Sequence, residues 1–165
     1  MIKFHSFLIA LTSLLLGACG SDHDGHGHSP DSGTHVHSPL NGGMLVEVGA
    51  HGSGYNLELC LHDEGFLQIY VLDAHAEGFV RIAQPTIEVI IPDANGTQQT
   101  LVCDAMADPV TGETVGDSAL FTSIKRIGDQ LPLKGMIPSI QILSQSYENI
   151  SFEFNGNSAA PEDDH

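Results

Sequence analysis

The stretch that decides the fold is Tyr55–Asp73, which reads YNLELCLHDEGFLQIYVLD. Leucines alternate with polar residues through Tyr55–His62, the period of a β-strand with one buried face. A second apolar run, Phe66–Asp73, follows the turn residues 63–65. A three-residue loop with Gly65 in the left-handed conformation opposes apolar residues across a hairpin: Leu61 with Leu67, Leu59 with Ile69, Leu57 with Val71. A two-residue loop would oppose leucines with polar or tyrosine side chains, so the sequence predicts the three-residue loop.

Outward from this hairpin the chain contains further short apolar runs separated by Gly and Pro. They predict strands at Met44–Val48, Ile87–Ile91, Gln99–Asp104, Ala119–Ser123, Ser139–Leu143 and Ile150–Phe154. The last two flank Ser144–Asn149 and are typical of a second hairpin. No stretch has a helical apolar period, and Ile127–Met136, which contains Pro132 and Gly135, holds at most one turn of helix. We expect an all-β fold, an antiparallel sandwich of seven or eight short strands over residues 41–154.

The two ends of the chain are polar. Residues 19–40 contain few large apolar groups and many Gly, Ser, Asp, Pro and His residues. Such a composition cannot offset the entropy of ordering and predicts a disordered tether. Residues 155–165 are likewise polar and predict a disordered acidic tail.

The first 18 residues have the pattern of a secretory signal. Lys3 precedes the apolar run Phe4–Leu16, which ends at Leu16-Gly17-Ala18-Cys19. This ending resembles the lipobox of bacterial lipoproteins, which implies that Cys19 becomes the acylated N-terminus, palmitate being a typical acyl group. Gly20 is not the aspartate of an inner-membrane retention signal, so we expect a lipid anchor in the outer membrane, facing the periplasm. The alternative is an ordinary cleaved signal with a chance cysteine.

The charge of the chain excludes some partners. Five Lys and Arg residues stand against 21 Asp and Glu residues. Nucleic acids and anionic head groups are bound by Lys and Arg, so neither is an expected partner. Contact with the membrane is expected through the acyl chains on Cys19 alone.

Histidines are concentrated in the tether, and most fall in His-X-His pairs. Five candidate ligands lie there: His23, His26, His28, His35 and His37. Neutral imidazole binds Zn²⁺, Cu²⁺ and Ni²⁺, and a flexible chain can place two or three imidazoles around one ion. The tether therefore predicts a divalent transition metal as cofactor. The alternative is a polar spacer in which histidine is incidental.

A second candidate metal site lies in the core domain. His51 and His75 flank the Tyr55–Asp73 hairpin, and because Tyr55 pairs near Asp73, the loops that carry them should come close. Asp73 or Glu77 would complete that site. A weaker candidate is Glu58 with Cys60 and His62 on one strand face. Neighbours of like parity lie about 7 Å apart, so solvated Glu58 and His62 are the simpler interpretation.

Two further questions concern the cysteines and catalysis. Cys60 and Cys103 either form a disulfide, worth roughly 4 kcal/mol, or remain buried free thiols. The chain has no Gly-X-Ser-X-Gly, His-Glu-X-X-His, phosphate-loop or dinucleotide motif. We therefore expect no enzymatic activity.

Three segments carry a family likeness: HSPLNGGMLVEVG at 37–49, YNLEL at 55–59 and IYVLDAH at 69–75. Together they resemble a small periplasmic β-domain found alone in bacterial lipoproteins and near the N-terminus of adaptor subunits of cobalt–zinc–cadmium and copper efflux pumps. The resemblance covers about residues 35–91 and implies heavy-metal handling, with an efflux complex as partner. Where the efflux-linked pattern often has a histidine before the paired glycines, this chain has Asn41.

These observations predict a lipid-anchored envelope protein that binds or buffers a divalent transition metal. The alternative function is an envelope interaction module whose histidine-rich segment only spans distance.

Overall fold

The computed structural model describes residues 37–93, 95–127 and 131–157. Within these ranges eight strands form: β1 (Met44–Val48), β2 (Tyr55–Leu61), β3 (Phe66–Leu72), β4 (Thr86–Pro92), β5 (Gln98–Ala105), β6 (Leu120–Arg126), β7 (Leu133–Ile142) and β8 (Gln145–Phe154). None of the described residues is helical. The predicted all-β fold is confirmed. The predicted signal peptide, Cys19, most of the tether and the last eight residues lie outside the described residues.

All eight strands belong to one antiparallel sheet with the order β1-β2-β3-β6-β5-β4-β7-β8. The sheet curls until it is nearly closed, so its inner face surrounds the core as two packed layers would. Every strand contributes to that core. Its largest fully buried side chains are Phe121, Phe154, Leu57, Leu59, Leu67, Ile69, Leu72, Ile82, Ile87, Ile137, Ile140 and Ile142.

The β2–β3 hairpin has the predicted register. Leu61 lies opposite Leu67, Leu59 opposite Ile69, and Leu57 opposite Val71. Gly65 has a φ of 84°, the left-handed conformation that the three-residue loop requires. The alternation of apolar residues and one glycine were sufficient to fix this part of the fold.

The β7–β8 hairpin is longer than predicted. β7 begins at Leu133, inside the stretch for which at most a helical turn was expected, and the strands are joined at Leu143-Ser144. Gly135 lies within β7 because a Cβ there would overlap the Phe152 ring of β8. The glycine permits close packing of two strands here and does not end one.

Two contacts join β2 to the last strand and to the residues that follow it. At one end the rings of Tyr55 and Tyr147 lie 6.2 Å apart. At the other end the Asn157 side chain accepts a hydrogen bond from Leu61 N at 2.7 Å and donates one to Leu61 O at 2.8 Å. Asn157 therefore pairs with β2 as a backbone residue would. The predicted disordered tail begins too early at residue 155, since Asn157 belongs to the folded domain.

The outer face of β2 is covered by residues 37–43, which we call the N-terminal strap. Under it Glu58 and Cys60 are buried, with exposures of 0 % and 4 %. The backbone N–H groups of Leu40 and Asn41 donate to the Glu58 carboxylate. The predicted tether is therefore too long at its C-terminal end, because residues 37–40 belong to the ordered domain.

Candidate metal centre

Three histidines from separate segments meet at one end of the β1–β2–β3 surface. His37 lies in the strap, His51 in the β1–β2 loop and His75 in the β3–β4 loop. The ring centroid of His37 lies 5.6 Å from that of His51 and 5.7 Å from that of His75. Both loops thus bring a histidine ring close to that of His37. The new finding is that the last histidine of the tether lies between them.

A carboxylate completes the cluster. One ligand atom from each of His37, Glu47 and His51 can be chosen so that all lie within 4.8 Å of one another. Glu47 Oε1 lies 2.7 Å from His51 Nδ1. Sequence reasoning missed Glu47. The signal was present, because Glu47 points outward from β1 and precedes His51 by four residues.

The turn after β1 brings His51 back to Glu47. Ala50 O accepts hydrogen bonds from Ser53 N at 3.1 Å and from Gly54 N at 2.8 Å, which closes a tight turn around His51. Gly54 is required because a Cβ there would overlap the carbonyl oxygen of Val48. This glycine-rich turn therefore holds the His51 backbone close to Glu47.

Asp73 shapes the loop that carries His75. Its Oδ1 accepts hydrogen bonds from His75 N at 3.1 Å and Glu77 N at 3.0 Å. Asn56 Nδ2 donates to the carbonyl oxygens of Asp73 and Ala74, at 3.0 and 3.1 Å, and so ties the loop to β2. Asp73, a predicted ligand, thus serves as a turn cap in this arrangement. Its contribution is to place His75 beside His37.

The hydrogen bonds of Glu58 do not involve the histidines. Its carboxylate accepts hydrogen bonds from Leu40 N (3.1 Å), Asn41 N (2.6 Å), Asn41 Nδ2 (2.9 Å) and Gly43 N (2.9 Å). The expectation that Glu58 is solvated is wrong, because the strap covers it. With these N–H donors and the Cys60 thiol around it, the carboxylate anchors the strap and so positions His37.

Asn41, which stands where the efflux-linked pattern often has a histidine, contacts the Glu58 carboxylate twice. Both its backbone N–H and its side-chain amide donate to Glu58. The turn before the paired glycines is therefore used here to hold the strap.

The His37 ring contains the least satisfied polar atom of the cluster. Its Nε2 is buried and has no hydrogen-bond partner among the residues described. The side chains of Glu47 and His51 are 53 % and 49 % exposed. A buried imidazole nitrogen with no partner, beside two accessible donor groups, is the arrangement that a bound cation would satisfy.

The cysteines take no part in the cluster. Burial, then the neighbouring charge of Glu58, raises the pKa of Cys60 to about 12, and burial raises that of Cys103 to about 12. Both are buried free thiols. They cannot pair because Cys60 lies on the outer face of β2, under the strap, and Cys103 lies in the core. The disulfide considered between them therefore does not form.

The remaining predicted ligands lie elsewhere. His62 is exposed at the opposite end of β2, where its Nδ1 accepts a hydrogen bond from Glu64 N at 3.3 Å. Four tether ligands fall outside the described residues: His23, His26, His28 and His35. Within the described residues, the cluster therefore consists of His37, Glu47 and His51, with His75 next to it.

Chemically, this cluster offers imidazole nitrogens and one carboxylate oxygen. These are donors for Zn²⁺, Cu²⁺ and Ni²⁺, and the absence of thiolate or thioether from this group of four disfavours Cu⁺. Glu47 has two possible roles. It binds the ion directly, or it accepts a hydrogen bond from His51 Nδ1 and so directs Nε2 of that ring outward.

Comparisons of the chain with protein-family models, with curated proteins and with solved structures found no match. Among the described residues, no helix is long and apolar enough to cross a membrane.

Proposed function

We propose that this chain is a lipid-anchored protein of the cell envelope that binds a divalent transition metal. One observation carries the proposal. His37, His51 and His75 come from three separate segments of the chain, and the rings of His51 and His75 lie 5.6 and 5.7 Å from that of His37. The buried His37 Nε2 has no partner among the described residues, and Glu47 lies within reach of the same ion. Chance proximity of polar side chains rarely leaves a buried nitrogen without a partner.

The tether and the folded site act together in this proposal. His37 is both the last histidine of the tether and a member of the ordered cluster. The upstream histidines His23, His26, His28 and His35 capture ions from solution with low selectivity. The ordered site then competes for the ion with a lower entropic cost, because its loops are already fixed.

The envelope location and the efflux partner rest on sequence. The Leu-Gly-Ala-Cys ending at Cys19 supports a lipid anchor, with the outer membrane facing the periplasm as the proposed location. The resemblance to the β-domain of efflux adaptors supports a heavy-metal efflux complex as partner. An acidic chain at the membrane surface would also raise the local concentration of divalent cations.

The test is isothermal titration calorimetry of the mature chain carrying Cys19→Ser, with Zn²⁺, Cu²⁺ and Ni²⁺ added separately. We expect at least one ion to bind with micromolar or tighter affinity. His51→Ala should weaken the tighter phase. The control is His62→Ala, which removes an exposed histidine at the other end of β2 and should leave that phase unchanged.

Deletion of residues 20–34 separates the tether from the folded site. It removes three of the tether histidines and leaves His35 and His37 in place. We expect the number of bound ions to fall while the tighter phase persists. If no ion binds the full chain, metal binding is wrong and the interaction module, with the tether as spacer, is the better account.

A further inference from the structure

A second concave site lies between the β3–β4 loop and the β5–β6 loop. It is a groove of about 640 Å³, a volume typical of small-molecule sites. Its walls are mainly apolar and are formed by Tyr70, Phe79, Met106, Ala119 and Leu120. None of the residues of the metal cluster lines it.

The apolar side chains of the groove are unusually accessible. Phe79 is 54 % exposed and Met106 is 42 % exposed. The rings of Tyr70 and Phe79 lie 5.8 Å apart, inclined at 44°. Two aromatic rings and a methionine that share one concavity provide a surface for the apolar part of a ligand, and the ring faces attract a positive charge.

The one cation in the lining is already neutralised. Arg81 Nη1 lies 3.2 Å from Asp117 Oδ2, and Nη2 donates to Thr111 O at 2.6 Å. Arg81 Nε lies 3.9 Å from Glu113 Oε1. Since each part of the guanidinium faces a partner, Arg81 offers little to a carboxylate or phosphate ligand.

By contrast, one acidic side chain that lines the groove can still accept a hydrogen bond from a ligand. Asp108 Oδ1 accepts a hydrogen bond from Val110 N at 2.8 Å. Its other oxygen accepts none from the described part of the chain. Glu113 is satisfied by Ala119 N and by the Thr111 hydroxyl, at 2.8 and 2.7 Å. Asp108 is therefore the group left to receive a charged donor from a ligand.

We propose that this groove binds a small organic cation, an aryl or alkyl group that carries one ammonium. The apolar part packs on Phe79, Met106 and Leu120, and the ammonium lies between the aromatic rings and Asp108. The proposal is independent of the metal site, because it uses other residues and a different chemistry.

The test compares three ligands with one apolar body: phenylbutylammonium, phenylbutanol and phenylbutyrate. Each is titrated into the ¹⁵N-labelled mature chain carrying Cys19→Ser, and affinity is read from amide shifts. We expect the ammonium to bind about tenfold more tightly than the carboxylate, with the alcohol between them. The shifts should concentrate at Ala107, Ala119 and Leu120.

Two variants separate the apolar and the charged contributions to binding, and a third variant is the control. Phe79→Ala, at an exposed position, should weaken all three ligands about fivefold. Asp108→Asn should reduce the preference for ammonium to about threefold. Glu148→Gln removes an equal charge from exposed β8 and should leave the preference unchanged. Equal binding of the three ligands, an unchanged preference in Asp108→Asn, or shifts located elsewhere would each overturn the proposal.

Discussion

Two polar clusters lie on the outer surface of β1, β2 and β3. They differ in how completely their polar atoms are hydrogen-bonded. Glu58 is fully buried and accepts four hydrogen bonds from Leu40, Asn41 and Gly43. The histidine cluster contains the Glu47–His51 pair and a buried His37 nitrogen that has no partner in the described part of the chain. A saturated carboxylate is a structural anchor, whereas an unsaturated group of donors is a site for a ligand.

The strap joins the two clusters. Glu58 holds residues 40–43, and His37 lies a few residues upstream on the same segment. Substitutions in the two clusters should therefore have different effects. Changes at the anchor should reduce the free energy of unfolding, and changes at the histidines should reduce metal affinity with little effect on the metal-free fold.

The largest expected effect is that of Glu58→Ala. It removes the buried carboxylate that accepts the N–H groups of Leu40 and Asn41, and we expect it to lower the free energy of unfolding by about 4 kcal/mol. Urea denaturation followed by circular dichroism measures this. Glu148→Ala, the same change at an exposed position of β8, should cost less than about 0.5 kcal/mol. Similar midpoints for the two variants would contradict the anchor role.

The second prediction concerns the thiol beneath the strap. Because its pKa is raised to about 12, Cys60 should react with iodoacetamide at neutral pH at least about a hundredfold more slowly than free cysteine. Glu58→Gln should partly release the strap and so accelerate the reaction of Cys60 with iodoacetamide. The reaction of Cys103, which lies in the core, should not change. Mass spectrometry of the alkylated peptides distinguishes the two. Equal acceleration at both sites would indicate global unfolding and not strap release.

The same thiols give a pH dependence with a defined sign. Their folded-state pKa values lie above the reference of 9.0, so the folded chain retains protons that the unfolded chain releases. The contribution of the two thiols to the free energy of unfolding is therefore fully present below pH 9.0, and it is lost as the pH rises from there towards 12. Cys60→Ala together with Cys103→Ala should make this decline less steep, as measured by urea denaturation at each pH; the part that remains comes from Tyr70 and Tyr147, whose pKa values burial also raises.

At the histidine cluster, His37→Ala should weaken the tighter metal-binding phase about thirtyfold, because it removes one ligand of the ordered site. The free energy of unfolding without metal should change little, since His37 Nε2 makes no hydrogen bond among the described residues. Metal-dependent shifts in the melting temperature report both quantities. A large loss of metal-free stability would instead assign His37 a structural role.

The smallest effect distinguishes the two roles of Glu47. Glutamine retains an oxygen that can accept the hydrogen bond from His51 Nδ1, but it is a poor metal ligand. If Glu47 orients His51, Glu47→Gln should weaken binding only about threefold, and Glu47→Ala should weaken it more. If Glu47 binds the ion, both variants should weaken binding equally and strongly. Calorimetry with the preferred ion decides between them.

Local patterns in the sequence were enough for part of the fold. The β2–β3 hairpin was predicted in full because alternation and Gly65 act over a few residues. The start of β7 was missed because a glycine usually indicates the end of a strand. Gly135 instead lies within β7, where the absence of a side chain leaves room for the Phe152 ring. The pairing of β3 with β6 joins residues far apart in sequence, and no local pattern encodes it.

The site was predicted in the same incomplete way. The hairpin geometry predicted that the loops of His51 and His75 come close to each other, and both rings lie beside that of His37. Asp73 and Glu58 were assigned to a metal because a carboxylate in a sequence does not reveal which N–H groups surround it. The docking of His37 was missed because the strap is fixed by Glu58, a contact between residues 17 or 18 positions apart.

The central claim is that His37 and His51 bind one metal ion together. The most direct measurement is a long-range ¹H–¹⁵N spectrum of the imidazole groups during titration of the mature chain, carrying Cys19→Ser, with Zn²⁺. The account predicts that one ring nitrogen of His37 and one of His51 take the shift of a zinc-bound nitrogen at the same stoichiometric point, while His62 remains unchanged. Saturation of the tether histidines with no change at His37 and His51 would contradict it.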